Sequence, residues 1–177
     1  ASLGDLEVDV DGTMLFVANA FDGRIHRIAL PDGTPLAPIA NGAAAEAWRR
    51  NARLFGLAWH DGWLYHGVVD SRESSAVPGD LVGIVYRSRS DGSEMGEVAR
   101  VALDYDRPDH PWRRWENLTG DRRTPLAQPM LSDIAITASG EMVIGLRDRV
   151  TDMVPAFASA EVAYGAGDLL PAVPQGP

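Results

Sequence analysis

One repeated pattern constrains the fold of this chain more than any other feature of its sequence. An alternating apolar run, a turn ending in glycine and a second apolar run occur together three times. The copies lie at Asp5–Val17, Gly56–Tyr65 and Asp133–Ile144. Alternation of apolar and polar residues predicts strands, and Asp-Gly or Ser-Gly turns supply the positive φ that tight hairpins need. Each copy is therefore predicted to be a β-hairpin.

The first two copies continue into a second pair of strands. Ile25–Leu30 is followed by the turn Asp32-Gly33, and Leu81–Tyr86 is followed by Asp91-Gly92 and then Val98–Leu103. Four-stranded units that recur about every 40 to 50 residues are typical of β-propeller blades. The predicted fold is therefore all-β, a partial β-propeller with two full four-stranded blades plus part of a third.

The repeat divides one partial propeller domain, residues 1–177, into successive segments. They are blade 1 at about 3–40, a helical linker at 41–53, blade 2 at about 54–104, a long loop at 105–129 and an incomplete blade 3 at about 130–177. Within the linker, Ala43–Arg50 is rich in helix formers and predicts one short helix. The terminal blades of an open arc expose apolar sheet faces, so we expect missing blades or another protein chain to complete it.

Two parts of the sequence resemble known propeller families. Gly4–Asn19 followed by Arg24–Ile28 is similar to the blade signature of NHL, YVTN and gluconolactonase-like propellers. Gln128–Ile134, Met142–Arg149 and Gly167–Leu170 resemble the propeller-like region of large bacterial surface proteins that carry serine-aspartate-type repeat modules. The resemblance implies an exported bacterial protein, extracellular or at the cell surface, with a structural or adhesive role in a larger assembly.

Charge and composition exclude several kinds of partner and site. Asp and Glu outnumber Lys and Arg by 25 to 16, and this net charge of −9 repels phosphate backbones, so no nucleic-acid partner is expected. Without cysteine, a disulfide framework or thiolate metal site is excluded. No apolar run approaches the roughly 18 residues of a membrane span, so no membrane insertion is expected. The first residues lack the basic and apolar regions of an export signal.

Enzyme signatures are missing from the sequence. It contains no His-Glu-x-x-His, Gly-x-Ser-x-Gly or phosphate-loop motif, and its histidines, His26, His60, His66 and His110, lack the spacing of metal ligands. We therefore predict no catalytic residues. The gluconolactonase-like resemblance implies a divalent cation held at the central axis by carboxylates and Asn, but a complete set of these ligands is not recognisable in this chain.

Asp5 and Asp133 occupy the same repeat position, at the start of the innermost predicted strand. Two carboxylates near a propeller axis could bind a hard cation such as calcium, which takes several oxygen ligands. An aspartate in this position more commonly accepts hydrogen bonds from nearby backbone N–H groups. We expect the second role and hence no cofactor, with a calcium site as the alternative.

Long connections collect on one face of the predicted arc. They are Pro38–Arg53, Asp70–Asp80, Asp104–Pro129 and Arg147–Ala166. Binding residues concentrate on long loops of a rigid scaffold, so this face is the predicted interaction surface. In the longest loop, Trp112, Arg113, Arg114 and Trp115 have the composition of an interface anchor. In the structural alternative both tryptophans fold back onto the blade edge, and the arginines pair with nearby acids.

These observations favour a non-enzymatic scaffold, adhesion or protein-binding propeller module. Two alternatives remain open. One is a lactonase-like metal-dependent hydrolase of which this chain holds a part. The other is a small-molecule or glycan-binding propeller that uses aromatic stacking faces at Trp59, Trp63, Tyr65, Trp112 and Trp115.

Overall fold

Eleven strands account for most of the ordered secondary structure in a computed structural model of the chain, which describes residues 3–74, 81–107, 111–116, 127–150 and 167–173. The strands are β1 (Leu3–Val8), β2 (Met14–Asn19), β3 (Arg24–Ala29), β4 (Thr34–Ala40), β5 (Ala52–His60), β6 (Trp63–Asp70), β7 (Val82–Ser88), β8 (Gly96–Ala102), β9 (Pro129–Ile136), β10 (Met142–Asp148) and β11 (Asp168–Ala172). The predicted all-β class is confirmed. No helix in the described ranges is long and apolar enough to cross a membrane.

The strands form three antiparallel sheets. Sheet 1 has the order β1-β2-β3-β4, sheet 2 the order β5-β6-β7-β8, and sheet 3 the order β9-β10-β11. Strands that are neighbours in sequence are therefore neighbours in space, as short hairpin connections require. The described strands form neither a closed barrel nor a closed propeller.

Tight turns join the first two strands of each sheet. Gly12 and Gly62 adopt φ angles of 68° and 77°, in the left-handed region that favours glycine. In the β1–β2 turn, the Asp9 carboxylate accepts hydrogen bonds from the backbone N–H groups of Thr13 at 2.6 Å and Met14 at 3.0 Å. These turn interactions fix the register of the hairpin and hence the face on which each side chain lies.

The first strands of the sheets converge. β1 contacts β5, β5 contacts β9, and β1 also contacts β9. Each first strand contains a register shift at the corresponding place, the shift in β5 falling between Leu54 and Leu57. A Cβ at Gly56 would lie 2.9 Å from the Asp133 backbone nitrogen, so the absence of a side chain permits the close approach of β5 to β9.

Two separate cores lie between the sheets. Phe16 and Ile25 of sheet 1 pack with Leu57 and Leu64 of sheet 2, and the rings of Phe16 and Trp59 stack with centroids 5.5 Å apart. The other core joins sheets 2 and 3, and its buried residues include Val69, Val85, Leu131, Ile134 and Ile144. Among the described residues, sheet 2 thus packs with both faces, whereas sheets 1 and 3 each pack on a neighbouring sheet with one face.

The predicted helix at 43–50 is wrong in type and extent. The linker forms two short 3₁₀ turns, Gly42–Ala45 and Arg49–Asn51, and Glu46 between them is extended with φ −74° and ψ 147°. The Asn41 side chain caps the first turn by accepting from Ala43 N at 3.0 Å. Burial of Ala43 in the core between sheets 1 and 2 favours this path, because so short a segment has little helical stability of its own.

Candidate interaction surfaces

The face of sheet 1 that points away from sheet 2, here called the outer face of sheet 1, is largely apolar, and it is exposed at Leu6 and Val8, whereas Val17 is buried. Cross-strand pairing places Leu6 beside Val17 and Val8 beside Leu15, with Ile28 next to Leu15. Leu6 is 55% exposed and Val8 is 42% exposed, and Leu15 and Ile28 are half-buried. Clustered apolar residues of this kind on a sheet are typical of interaction surfaces.

Sheet 2 carries the equivalent face in a covered state. Its Leu57, His66 and Tyr86 form a cross-strand row that corresponds to the row of Leu6, Val17 and His26 in sheet 1. Leu57, His66 and Tyr86 are all buried, and the apolar residues of the row pack with Phe16 and Ile25 of sheet 1. The molecule therefore contains an example of a face of this kind covered by the packing face of a preceding sheet.

Sheet 3 also exposes one face, here called the outer face of sheet 3. It corresponds to the face of sheet 1 that packs on sheet 2. It includes Val143 and Pro171 in one cross-strand row and Gly145 and Leu169 in the next. Leu169 is 75% exposed. Val143 and Gly145 occupy the repeat positions of Phe16 and Ala18, the residues with which sheet 1 packs on sheet 2. The two outer faces thus correspond to the two sides of the contact between sheets 1 and 2.

Trp112 lies in the core and not on the surface. It is 5% exposed, packs among the core residues between sheets 2 and 3, and its Nε1 donates to the Tyr105 hydroxyl at 2.9 Å. The Arg107 guanidinium lies over its ring at 3.6 Å and forms an ion pair with Asp168 at 2.8 Å. These contacts attach the loop to the start of β11.

Trp115 is half-buried and fixed by its polar contacts. Its Nε1 donates to the Pro129 carbonyl at 2.7 Å, and its backbone N–H donates to the Ser71 carbonyl at 2.9 Å. The guanidinium groups of Arg53 and Arg149 lie over the ring at 5.9 and 4.4 Å. Burial lowers the pKa of both arginines, which nevertheless stay charged.

Of the four predicted anchor residues, the arginines are the exposed pair. Arg113 and Arg114 are exposed, and the Arg114 side chain donates to Glu116 at 2.9 Å. Arg114 and Trp115 border an open cleft of about 460 Å³ with Glu73, Glu116 and Arg149. An interface role for this loop stays a prediction. Within sheet 1, however, the β2–β3 connection is short and comprises residues 20–23.

Asp5 and Asp133 lie where the first strands converge. The Asp5 carboxylate accepts from Leu57 N of sheet 2 at 3.0 Å and from its neighbour Leu6 N at 2.8 Å, whereas Asp133 accepts from its neighbour Ile134 N at 2.8 Å. Glu7 lies near both carboxylates. Burial raises the pKa of Glu7, and the charges of Asp5 and Asp133 raise it further, whereas a hydrogen bond from the Trp59 backbone N–H lowers it. The described residues include no group of three or more side chains suited to hold a metal ion.

The outer faces were not identified residue by residue from the sequence. Leu6, Val8, Leu15 and Ile28 alternate with polar or inward-facing residues like any other strand. The feature that identifies these residues is the equivalence between repeats, because it assigns each position to a face of its sheet once the cross-strand register is known. Comparison with known protein families and with curated proteins finds no match for this chain.

Proposed function

We propose that the chain is a three-sheet arc of a β-propeller that serves as a protein-binding scaffold and has no catalytic role of its own. One observation supports this most directly: the outer face of sheet 1 has the row pattern of the sheet 2 face that sheet 1 covers. Convergence of β1, β5 and β9 is the arrangement expected of inner strands around a propeller axis.

The partner for the outer face of sheet 1 is a sheet of the same repeat. The outer face of sheet 3 carries equivalents of the residues that pack on sheet 2, so two copies of the chain can associate head to tail, sheet 3 of one copy on sheet 1 of the other. Two three-sheet arcs related in this way supply six sheets, within the range of propeller blades. Further blades of a longer protein can occupy the same surface.

The setting we propose is an extracellular or cell-surface assembly of a bacterium. The support is the resemblance of Gln128–Ile134 and Met142–Arg149 to the propeller-like regions of bacterial surface proteins, together with the acidic charge. A scaffold role fits the missing catalytic motifs. An adhesive or structural module needs shape and an exposed surface and no reactive group.

Sedimentation velocity of the purified chain tests the proposed association. We expect a concentration-dependent shift from monomer to larger species. Leu6→Arg or Leu169→Arg should each weaken association at least about 30-fold, because each places a charge at the centre of an apolar contact. A cooperatively folded, monodisperse monomer at every concentration overturns the proposal.

Phe21→Arg is the matched control. Phe21 is even more exposed than Leu6 but lies in the β2–β3 turn and not on a strand of either outer face. It should leave the association unchanged. If Phe21→Arg disperses the protein as effectively as Leu6→Arg, association is non-specific and does not use the proposed faces.

A further inference from the structure

A cleft of about 350 Å³ opens between sheets 2 and 3, at the end of the sheets where the tight turns lie. The long loops and their predicted binding face are at the other end. Its lining includes His60, Asp61, Trp63, Tyr65, Arg87 and Met142. Small-molecule sites in proteins are commonly concave, largely apolar and equipped with a few polar groups, and this cleft has that composition.

Arg87 supplies an available cationic group in the cleft. Its guanidinium lies 4.2 Å from the centroid of the Trp63 ring, and within the described part of the chain it makes no hydrogen bond or ion pair. The neighbouring Arg89 lies 3.6 Å from the same ring but is paired with Glu94 at 3.0 Å. Arg87 therefore keeps its planar set of N–H donors for a carboxylate.

Tyr65 supplies the second polar group. It is 8% exposed and borders the cleft, yet none of the described residues forms a hydrogen bond with its hydroxyl. The ring packs in the core between sheets 2 and 3, and the hydroxyl is not one of the fully buried unpaired polar atoms, so water in the cleft can reach it. A ligand oxygen in the cleft would pair with it.

The walls determine what else a ligand must have. Ile136 and Met142 present apolar surface, and Asp61 is the carboxylate that lines the cleft, with no ion pair to Arg87. We propose that this cleft is a binding site for a small organic monoanion whose carboxylate pairs with Arg87 and Tyr65 and whose apolar body lies against Ile136 and Met142. The site is complete within one chain and does not depend on the assembly proposed above.

The probe is 3-phenylpropanoate, titrated at constant ionic strength into the full chain labelled with ¹⁵N. The Trp63 indole and the Ala99 and Gly140 amides should shift in a saturable way, with a dissociation constant of about 1–10 mM for a ligand of this size. The neutral isostere 3-phenylpropanamide should bind at least about fivefold more weakly. Equal binding of the two compounds, or shifts that never saturate, overturns the proposal.

Four variants locate the interaction. Arg87→Gln should weaken binding at least about fivefold and Tyr65→Phe about threefold, while Asp61→Asn should not weaken it. Arg100→Gln is the matched control, since Arg100 pairs in register with Ile84 on the opposite face of sheet 2 and should leave binding unchanged. Thermal melts by circular dichroism confirm that each variant is folded. Unchanged binding by Arg87→Gln, or equal losses in Arg87→Gln and Arg100→Gln, places the probe elsewhere and overturns the site.

Discussion

The outer face of sheet 1 and the equivalent face of sheet 2 carry similar rows of side chains, but only the second is covered by another sheet. Leu15 and Leu64 occupy the same repeat position, and Leu64 is 0% exposed whereas Leu15 is half-buried. Val17 and His66 also correspond. The comparison teaches that coverage by a neighbouring sheet, more than residue type, sets how much a side chain such as Leu15 or Leu64 contributes to stability.

The covered face of sheet 2 contains buried polar atoms that lack hydrogen bonds within the described part of the chain. His66 Nδ1, the Tyr86 hydroxyl and the Ser88 hydroxyl are all buried there, and none of the described residues forms a hydrogen bond with them. His66 makes one hydrogen bond, in which its Nε2 accepts from Gly42 N at 3.2 Å. Unpaired buried polar atoms destabilise a fold, so the apolar contacts of Phe16, Leu57 and Leu64 must offset them.

Truncating the two equivalent leucines measures this difference directly. Leu64→Ala should lower the free energy of unfolding by about 3 kcal/mol, because it removes a fully enclosed side chain from the core between sheets 1 and 2. Leu15→Ala should cost about 1 kcal/mol, since water already reaches that side chain. Urea denaturation at a protein concentration below the onset of association gives both values. Equal losses would mean that the outer face of sheet 1 is already covered in the monomer.

Acidification should act on the covered face through His66. Burial lowers its pKa to about 3, against about 6.5 when unfolded, so the unfolded chain binds the proton first. The His66 contribution to stability is complete above pH 6.5 and decreases as the pH falls from about 6.5 to about 3. Between pH 6.5 and 5 the loss is about 2 kcal/mol.

The difference between the wild type and His66→Gln isolates this effect, because other titrating groups contribute equally to both. The glutamine side chain can still accept from Gly42 N but does not titrate in this range. Between pH 7 and pH 5, the free energy of unfolding measured by urea denaturation should fall by about 2 kcal/mol less in His66→Gln than in the wild type. A variant that loses as much stability as the wild type would show that His66 accepts a proton in the folded state.

The hairpins were predictable because their signals are local. Alternation and turn glycines such as Gly12 and Gly62 identify strands within one stretch of sequence, and the observed turns have the expected positive φ. The linker was not predictable in the same way. Its alanines favour a helix, but packing of Ala43 and Trp48 against the core between sheets 1 and 2 decides the conformation.

The candidate surfaces depend on contacts that are distant in sequence. Trp112 has the composition of an interface residue, yet its hydrogen bond to Tyr105 and the ion pair of Arg107 with Asp168 draw it into the core. Nothing near Trp112 in the sequence indicates that Asp168 lies beside it. Likewise, Arg87 and Met142 line one cleft only because sheets 2 and 3 pack together.

The smallest expected effect concerns Asp5 and Asp133, which share a repeat position but differ in their contacts between sheets. Asp5 accepts from Leu57 N on sheet 2, and its removal leaves that buried N–H without its carboxylate partner, so Asp5→Ala should cost about 1–2 kcal/mol. Asp133 accepts from the adjacent Ile134 N, and Asp133→Ala should cost about 0.5 kcal/mol.

Asp5→Asn distinguishes the hydrogen bond from a metal site, because the amide oxygen can still accept from Leu57 N but carries no charge. The melting temperature of Asp5→Asn should therefore be close to that of the wild type. The melting temperature of Asp5→Ala should be clearly lower, and that of Asp133→Ala should lie between the two. EDTA should leave all four melting temperatures unchanged, since the Asp5 carboxylate is already occupied by backbone donors. If EDTA instead lowers the melting temperature of the wild type, and both alanine variants lose that response, the two carboxylates bind a cation such as calcium. The contact between sheets 1 and 2 would then depend on the cation as well as on the backbone bond.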